Sequence, residues 1–122
     1  MAEKDFTILT KAEELAEHTL RITSNCNHYP KKYRHSLVDK MQNKSLDIYT
    51  TLYEANRINN VTNKYMRLET ITKGITYCDE LLFFIKLSKN LGLLGGVSVE
   101  HWVKLTTDVK RMSLAWRKKE QN

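Results

Sequence analysis

Glycine and proline are scarce, with four Gly and one Pro in 122 residues. That excludes a loop-rich fold, a flexible linker and a low-complexity tail, and the length holds one domain. Cysteine is nearly as rare. Cys26 and Cys78 stand alone with no CxxC spacing, which excludes a disulfide framework and predicts a reduced protein with two small buried thiols. Long apolar runs are missing too: Leu81-Leu82-Phe83-Phe84-Ile85 stops at Lys86, far short of the roughly 20 residues of a membrane span. Glu3, Lys4 and Asp5 stand where a secretory leader would turn apolar, so a cytoplasmic protein with no membrane role is expected. Acidic residues are in deficit, 14 Asp+Glu against 20 Lys+Arg for a net charge of +6, which favours an anionic partner.

Catalytic patterns are absent as well. His18, His28, His35 and His101 form no HExxH and have no cysteine at zinc-finger spacing, so no metal site is expected. Gly95-Gly96 is followed by no GK[ST], and no GxSxG offers a serine nucleophile. Glu13, Glu14 and Glu17 share one face with no acidic helix to oppose them. The expectation is a protein that is not an enzyme and holds no cofactor.

What is present is helical periodicity. Breaks fall at Tyr29-Pro30, at Asn59-Asn60-Val61-Thr62-Asn63, and at Gly92 with Gly95-Gly96. Proline disfavours helix at the preceding residue, and glycine after an apolar segment is a helix stop. Ser98 offers an N-cap for the last segment. Four helices are predicted, at approximately 6–27, 34–58, 64–91 and 98–119. Ile8, Ala12, Leu15, Thr19, Ile22 and Cys26 step by four and three along the first. Val38, Met41, Ser45, Ile48, Leu52 and Ala55 do so along the second. Leu68, Ile71, Ile75, Cys78, Leu82 and Ile85 mark the third, and Val99, Trp102, Thr106, Val109, Ser113 and Trp116 the fourth. Such spacing keeps one side chain per turn on one face. With short breaks between long helices, the reading is an all-α, antiparallel up-down-up-down four-helix bundle.

The third helix has more apolar surface than one bundle encloses. A second line, Gly74, Tyr77, Leu81, Phe84, Ser88 and Leu91, runs beside the first, and Phe83 and Leu87 fall on a further side. The second helix adds Leu46, Tyr49 and Tyr53 beside its main line. Helices apolar nearly all round are buried on every side. Tyr77, Leu81, Phe83, Phe84 and Leu87 are therefore the candidate interface of a homo-oligomer.

The charge is uneven. Residues 1–20 sum to −3. Lys31, Lys32, Arg34, Lys40 and Lys44 face only Asp39, and Lys104, Lys110, Arg111, Arg117, Lys118 and Lys119 face Asp108 and Glu120, so each run nets +4. In an up-down-up-down bundle the two runs lie at opposite ends. Dispersed cations suit sequence-independent phosphate contact; they equally suit a solvated face. Tyr29, Tyr33 and His35 interleave with Lys31, Lys32 and Arg34. That turn either holds single-stranded nucleic acid or caps the bundle with its tyrosines. Trp102 and Trp116 lie on an inward line and are expected to pack.

The stretch Tyr29-Pro30-Lys31-Lys32-Tyr33-Arg34-His35-Ser36-Leu37, then Asp47-Ile48-Tyr49 and Glu54-Ala55-Asn56-Arg57, resembles the accessory variability determinant (Avd) proteins of diversity-generating retroelements. Leu87-Ser88-Lys89-Asn90-Leu91-Gly92-Leu93-Leu94, Arg111-Met112 and Trp116 extend the resemblance over most of the chain from about Phe6. The wider superfamily includes four-helix proteins encoded in intervening sequences of ribosomal RNA genes. Those carry proline and glycine in a stretch that here reads Thr51-Leu52-Tyr53-Glu54-Ala55-Asn56-Arg57, with neither, a departure pointing to the Avd branch. The Gly95-Gly96 insertion departs from both. The resemblance implies a basic homo-oligomeric barrel, a pentamer, that partners a reverse transcriptase, contacts its template RNA and supports mutagenic retrohoming without catalysis. It carries no individual binding residue over. The residues expected to meet the partner or nucleic acid are Lys31, Lys32, Arg34, Lys40, Lys44, Lys110, Arg111, Arg117, Lys118 and Lys119. The alternatives are a protein-interaction scaffold without RNA contact and a ribosomal RNA intervening-sequence protein.

Overall fold

A computed structural model describes residues 3–95 and 99–122. The chain is helical, with α1 at Glu3–Ser24, α2 at Asp39–Arg57, α3 at Lys64–Asn90 and α4 at Val99–Gln121. A 3₁₀ turn at Lys31–Tyr33 and a π-helical turn at Arg34–Val38 lead into α2. No strand occurs among the described residues. No helix is long and apolar enough to cross a membrane among those residues.

The expected breaks are built from side-chain hydrogen bonds and one glycine. Asn25 stops α1 ahead of the expected residue 27, because its Oδ1 accepts the Asn27 amide at 2.9 Å and its carbonyl accepts the amides of His28 and Tyr29. Such a local bond competes with the helical ladder. Asn59 Oδ1 accepts the amides of Val61 and Thr62 at 2.8 and 3.0 Å after α2. Gly92 takes φ +75°, with its amide on the Lys89 carbonyl and the Leu93 amide on the Ser88 carbonyl. That is the double bond of a Schellman stop, and the left-handed conformation favours glycine. Ser98, the expected N-cap, and Gly96 lie outside the described residues.

The inward lines of three helices fall as their spacing predicts. Ile8 to Ile22 along α1, Val38 to Ala55 into α2 and Trp102 to Trp116 along α4 are buried. Their hydroxyls are satisfied locally: Thr19, Thr106 and Ser113 donate to the carbonyls four residues back at 2.8, 2.9 and 2.8 Å. Thr19 Oγ1 also accepts the Trp102 indole N–H at 3.0 Å, joining α1 to α4. An unsatisfied buried hydroxyl would be costly, so these bonds explain how polar residues sit on a core line.

Along α3 the expected Ile71, Ile75, Cys78 and Ile85 are buried, but two expected positions are not. Arg67, Ile71, Gly74, Ile75, Cys78, Leu81, Ile85 and Ser88 are buried, while Leu68 and Leu82 are only half-buried. Leu81, expected at an interface, lies in the chain's own core at 0% exposure. The cause is close approach at Gly74, where a Cβ would lie 2.7 Å from Leu52 Cδ2. With the smallest residue turned toward α2, Leu81 rotates inward and Leu82 to the flank. Cys78 is buried as expected, but Cys26 is exposed because α1 has already ended.

Each helix packs on the next, and α4 packs on α1. Gln42 near the start of α2 donates to Thr23 near the end of α1 at 2.9 Å. Ser88 near the end of α3 contacts Met41 Sδ at 3.8 Å. At the other extreme, Arg67 in the first turn of α3 donates to the Ile58 carbonyl just past α2 at 2.9 Å and to Glu120 near the end of α4 at 2.7 Å.

Candidate nucleic-acid interface

Pro30, with φ −55° and ψ 153°, launches the 3₁₀ turn that carries Lys31 and Lys32, and Arg34 begins the π turn. Tyr29 is 3% exposed, with its hydroxyl 4.0 Å from Met41 Sδ. Burial raises its phenol above the ordinary range, against the opposing effect of a hydrogen bond with Ser88. Tyr33 packs half-buried on the core, with Lys32 Nζ 5.3 Å from its ring centre. The tyrosines of this turn therefore cap the bundle. Lys31, Lys32, Arg34 and Lys40 are exposed and have no carboxylate partner among the described residues.

Lys44 is different. Its ammonium lies 2.8 Å from Glu80 and 4.3 Å from the centre of the Tyr77 ring. Lys110, approaching α3 from α4, lies 2.6 Å from Asp79. The two lysines, one from each predicted run, thus converge on adjacent carboxylates of α3. Their charge is largely committed within the fold, so they contribute less to an external anion than their neighbours do. Such part-exposed pairs add about 0–1 kcal/mol each.

Along the rest of α4, Arg117 Nη1 donates to Thr72 Oγ1 at 3.1 Å, and Lys104 pairs with Asp108 at 2.9 Å. Arg111, Lys118 and Lys119 are exposed without a carboxylate partner among the described residues. Beneath them, Arg67 is 8% exposed and donates through Nε and Nη2 to Glu120 Oε1 at 3.2 and 2.7 Å. Nη1 takes the carbonyls of Ala55, Asn56 and Ile58 at 3.4, 3.3 and 2.9 Å. Trp116 lies 5.1 Å under the guanidinium and gives its indole N–H to the same Glu120 oxygen at 3.0 Å. The sequence reading missed this network. A cation four residues before Ile71, on the inward line, was the available signal.

The two groups of exposed cations are separated. Lys31 to Lys40 stand where the start of α2 meets the ends of α1 and α3, and Lys118 and Lys119 stand where the end of α4 meets the start of α3.

Of the candidate interface residues, Phe83 is 58% exposed, and Tyr77, Phe84 and Leu87 are half-buried. Leu91 continues the row Phe83, Leu87, Leu91 at four-residue steps and is exposed, and Leu46 and Tyr53 are exposed on α2. A groove of about 650 Å³ between α2 and α3 is lined by Lys40, Asp47, Thr76, Phe83 and Phe84 among others.

His18 and His101 meet edge-to-face across α1 and α4 at 4.9 Å, and His18 Nε2 is buried without a hydrogen-bond partner. Burial, then the charges of His101 and Arg21, hold His18 below the ordinary histidine range. Burial pushes the Cys78 thiol up to about 12. No cluster of three or more potential metal ligands occurs among the described residues. No family model, curated protein or solved structure matches the chain.

Proposed function

We propose that this chain is a non-catalytic, basic scaffold that holds nucleic acid by its phosphates. The resemblance of the Tyr29 to Leu37 stretch and its companions extends the proposal to an Avd-like accessory protein, which accompanies a reverse transcriptase and its template RNA in the cytoplasm. The observation that carries the reading is the distribution of unpaired cations. Lys31, Lys32, Arg34, Lys40, Arg111, Lys118 and Lys119 are exposed without carboxylate partners among the described residues, as are Arg57, Lys73, Lys86 and Lys89 elsewhere on the chain, while Lys44, Lys110, Arg67 and Lys104 each face an acid. Such cations release counterions when they meet phosphates.

The proposed architecture is the up-down-up-down bundle, assembled as a homo-oligomer, a pentamer by resemblance. Supporting the topology, Lys64, Thr72 and Asp79 advance along α3 while their partners Gln121, Arg117 and Lys110 recede along α4. Supporting assembly, the exposed Phe83, Leu91, Leu46 and Tyr53 leave apolar surface uncovered in one chain. Repetition around an axis multiplies the cations.

A gel-shift titration with a structured RNA tests the proposal. The double charge reversal Lys118→Glu with Lys119→Glu should weaken binding at least tenfold, with the helical circular dichroism unchanged. Unaltered affinity, or no binding by the parent protein, would count against the phosphate-contact reading.

A further inference from the structure

The turn that opens α2 does more than expose cations. In a 3₁₀ turn, side chains three residues apart eclipse, and Lys31 and Arg34 bracket such a turn, with the Arg34 amide bonded to the Lys31 carbonyl. The chain then winds as a π turn, the Asp39 amide bonding the Arg34 carbonyl, a local geometry frequent at functional sites. Between this double turn and the end of α1 lies a pocket of about 210 Å³. Lys31, Arg34, Ser24, Gln42 and Cys26 line it with the apolar Tyr29 and Val38, and no carboxylate lines it among the described residues. Gln42 Nε2 already donates to Thr23 and Ser24 at 2.9 and 3.4 Å, which fixes the amide and hydroxyl edge of the wall.

The volume lies below the roughly 300–1,000 Å³ of sites that enclose a whole small molecule, so the pocket takes one functional group. Two cations in the wall match a phosphomonoester, which carries about −1.5 to −2 charge, better than the single charge of an internal phosphodiester. Arginine offers a fork to phosphate oxygens and lysine a point charge.

We propose that this pocket binds a terminal phosphate of a nucleic-acid strand. The assignment rests on the nucleic-acid reading above and sharpens it: one end of the bundle grips a strand terminus, while the remaining cations contact the backbone.

Competition binding tests it. Unlabelled RNA strands carrying a 5′-phosphate, a 3′-phosphate or neither displace a labelled strand from the full chain. One phosphorylated form should compete about tenfold better than the unphosphorylated strand. Arg34→Ala should abolish that preference, weakening the phosphorylated strand about tenfold more than the unphosphorylated one, and leave the thermal melt nearly unchanged. As a second readout, inorganic phosphate should slow alkylation of Cys26 by iodoacetamide in the parent protein and not in Arg34→Ala. Equal competition by all three strands with no protection of Cys26 would overturn the pocket and leave the diffuse phosphate contact standing. Protection of Cys26 by phosphate in a chain that binds no RNA would keep a phosphate site but overturn its assignment to a strand terminus.

Discussion

Arg67→Ala removes the group that ties three helices together. The guanidinium reaches the three carbonyls at the end of α2 and holds Glu120 of α4 from the first turn of α3. No glycine ends α2, and Ile58 leaves it in an extended conformation, so the arginine itself satisfies carbonyls a helix terminus leaves open. The pair is well shielded, with side chains 9% and 15% exposed. Removing one member of such a pair costs about 3–5 kcal/mol, because the other charge stays buried and alone. In a domain of this size that lowers Tm by roughly 10–20 °C. Arg67→Lys should recover only part of the loss, since lysine keeps the charge without the planar fork. A thermal melt followed by circular dichroism at neutral pH measures both. Burial pushes Glu120 up, but hydrogen bonds from Arg67 and Trp116, with the Arg67 charge, hold it below the ordinary glutamate range. A depressed carboxylate adds stability above its unfolded value and loses it as pH falls through the folded one. The gap between parent and Arg67→Ala should therefore narrow in acid below the ordinary glutamate range. A loss under about 1 kcal/mol, the size of a surface pair, or a gap unchanged into strong acid, would refute the reasoning.

Leu81→Ala should cost about 2–5 kcal/mol in chemical denaturation and clearly more than Leu82→Ala, since only Leu81 is wholly buried; equal losses would mean the α3 line is misassigned. A thiol reagent should modify one cysteine rapidly in the native protein, the exposed Cys26, and reach Cys78 only after unfolding. His18, held below its ordinary value, binds its proton more readily in the unfolded chain. Stability should thus fall as pH drops below about 6.5, with a slope of up to about 1.4 kcal/mol per pH unit. His18→Leu should flatten that slope in denaturation curves, and an unchanged slope would count against a lowered His18 with its Nε2 shielded and unpartnered. Glu14, Glu17, Arg21 and His101 face the same small cavity, so the comparison is made in the parent background.

Helix number and three of the four inward lines were legible because they depend on periodicity alone. Along α3, Ile71, Ile75, Cys78 and Ile85 are buried as their spacing predicts, but the places expected of Leu68 and Leu82 go to Gly74, Leu81 and Ser88, where Gly74 approaches Leu52, a contact between residues 22 positions apart. The early stop of α1 depended on the side chain of Asn25, and that stop is what exposes Cys26. Charge position was readable in sequence, but charge availability was not: Lys44 and Lys110 look like their neighbours until Asp79 and Glu80 are placed between them. The pocket behind Arg34 was hidden for a related reason. It arises from a change of helical winding that residue identities do not announce.

The most direct test of the phosphate-contact account is the affinity of the chain for RNA across a salt series. Log affinity falls against log salt with a slope of about −0.7 per phosphate neutralised on a single strand. With at least four of the seven cations Lys31, Lys32, Arg34, Lys40, Arg111, Lys118 and Lys119 engaged, a slope of about −3 or steeper is expected. A slope shallower than about −1, with affinity barely responding to salt, would contradict the claim that these cations hold nucleic-acid phosphates.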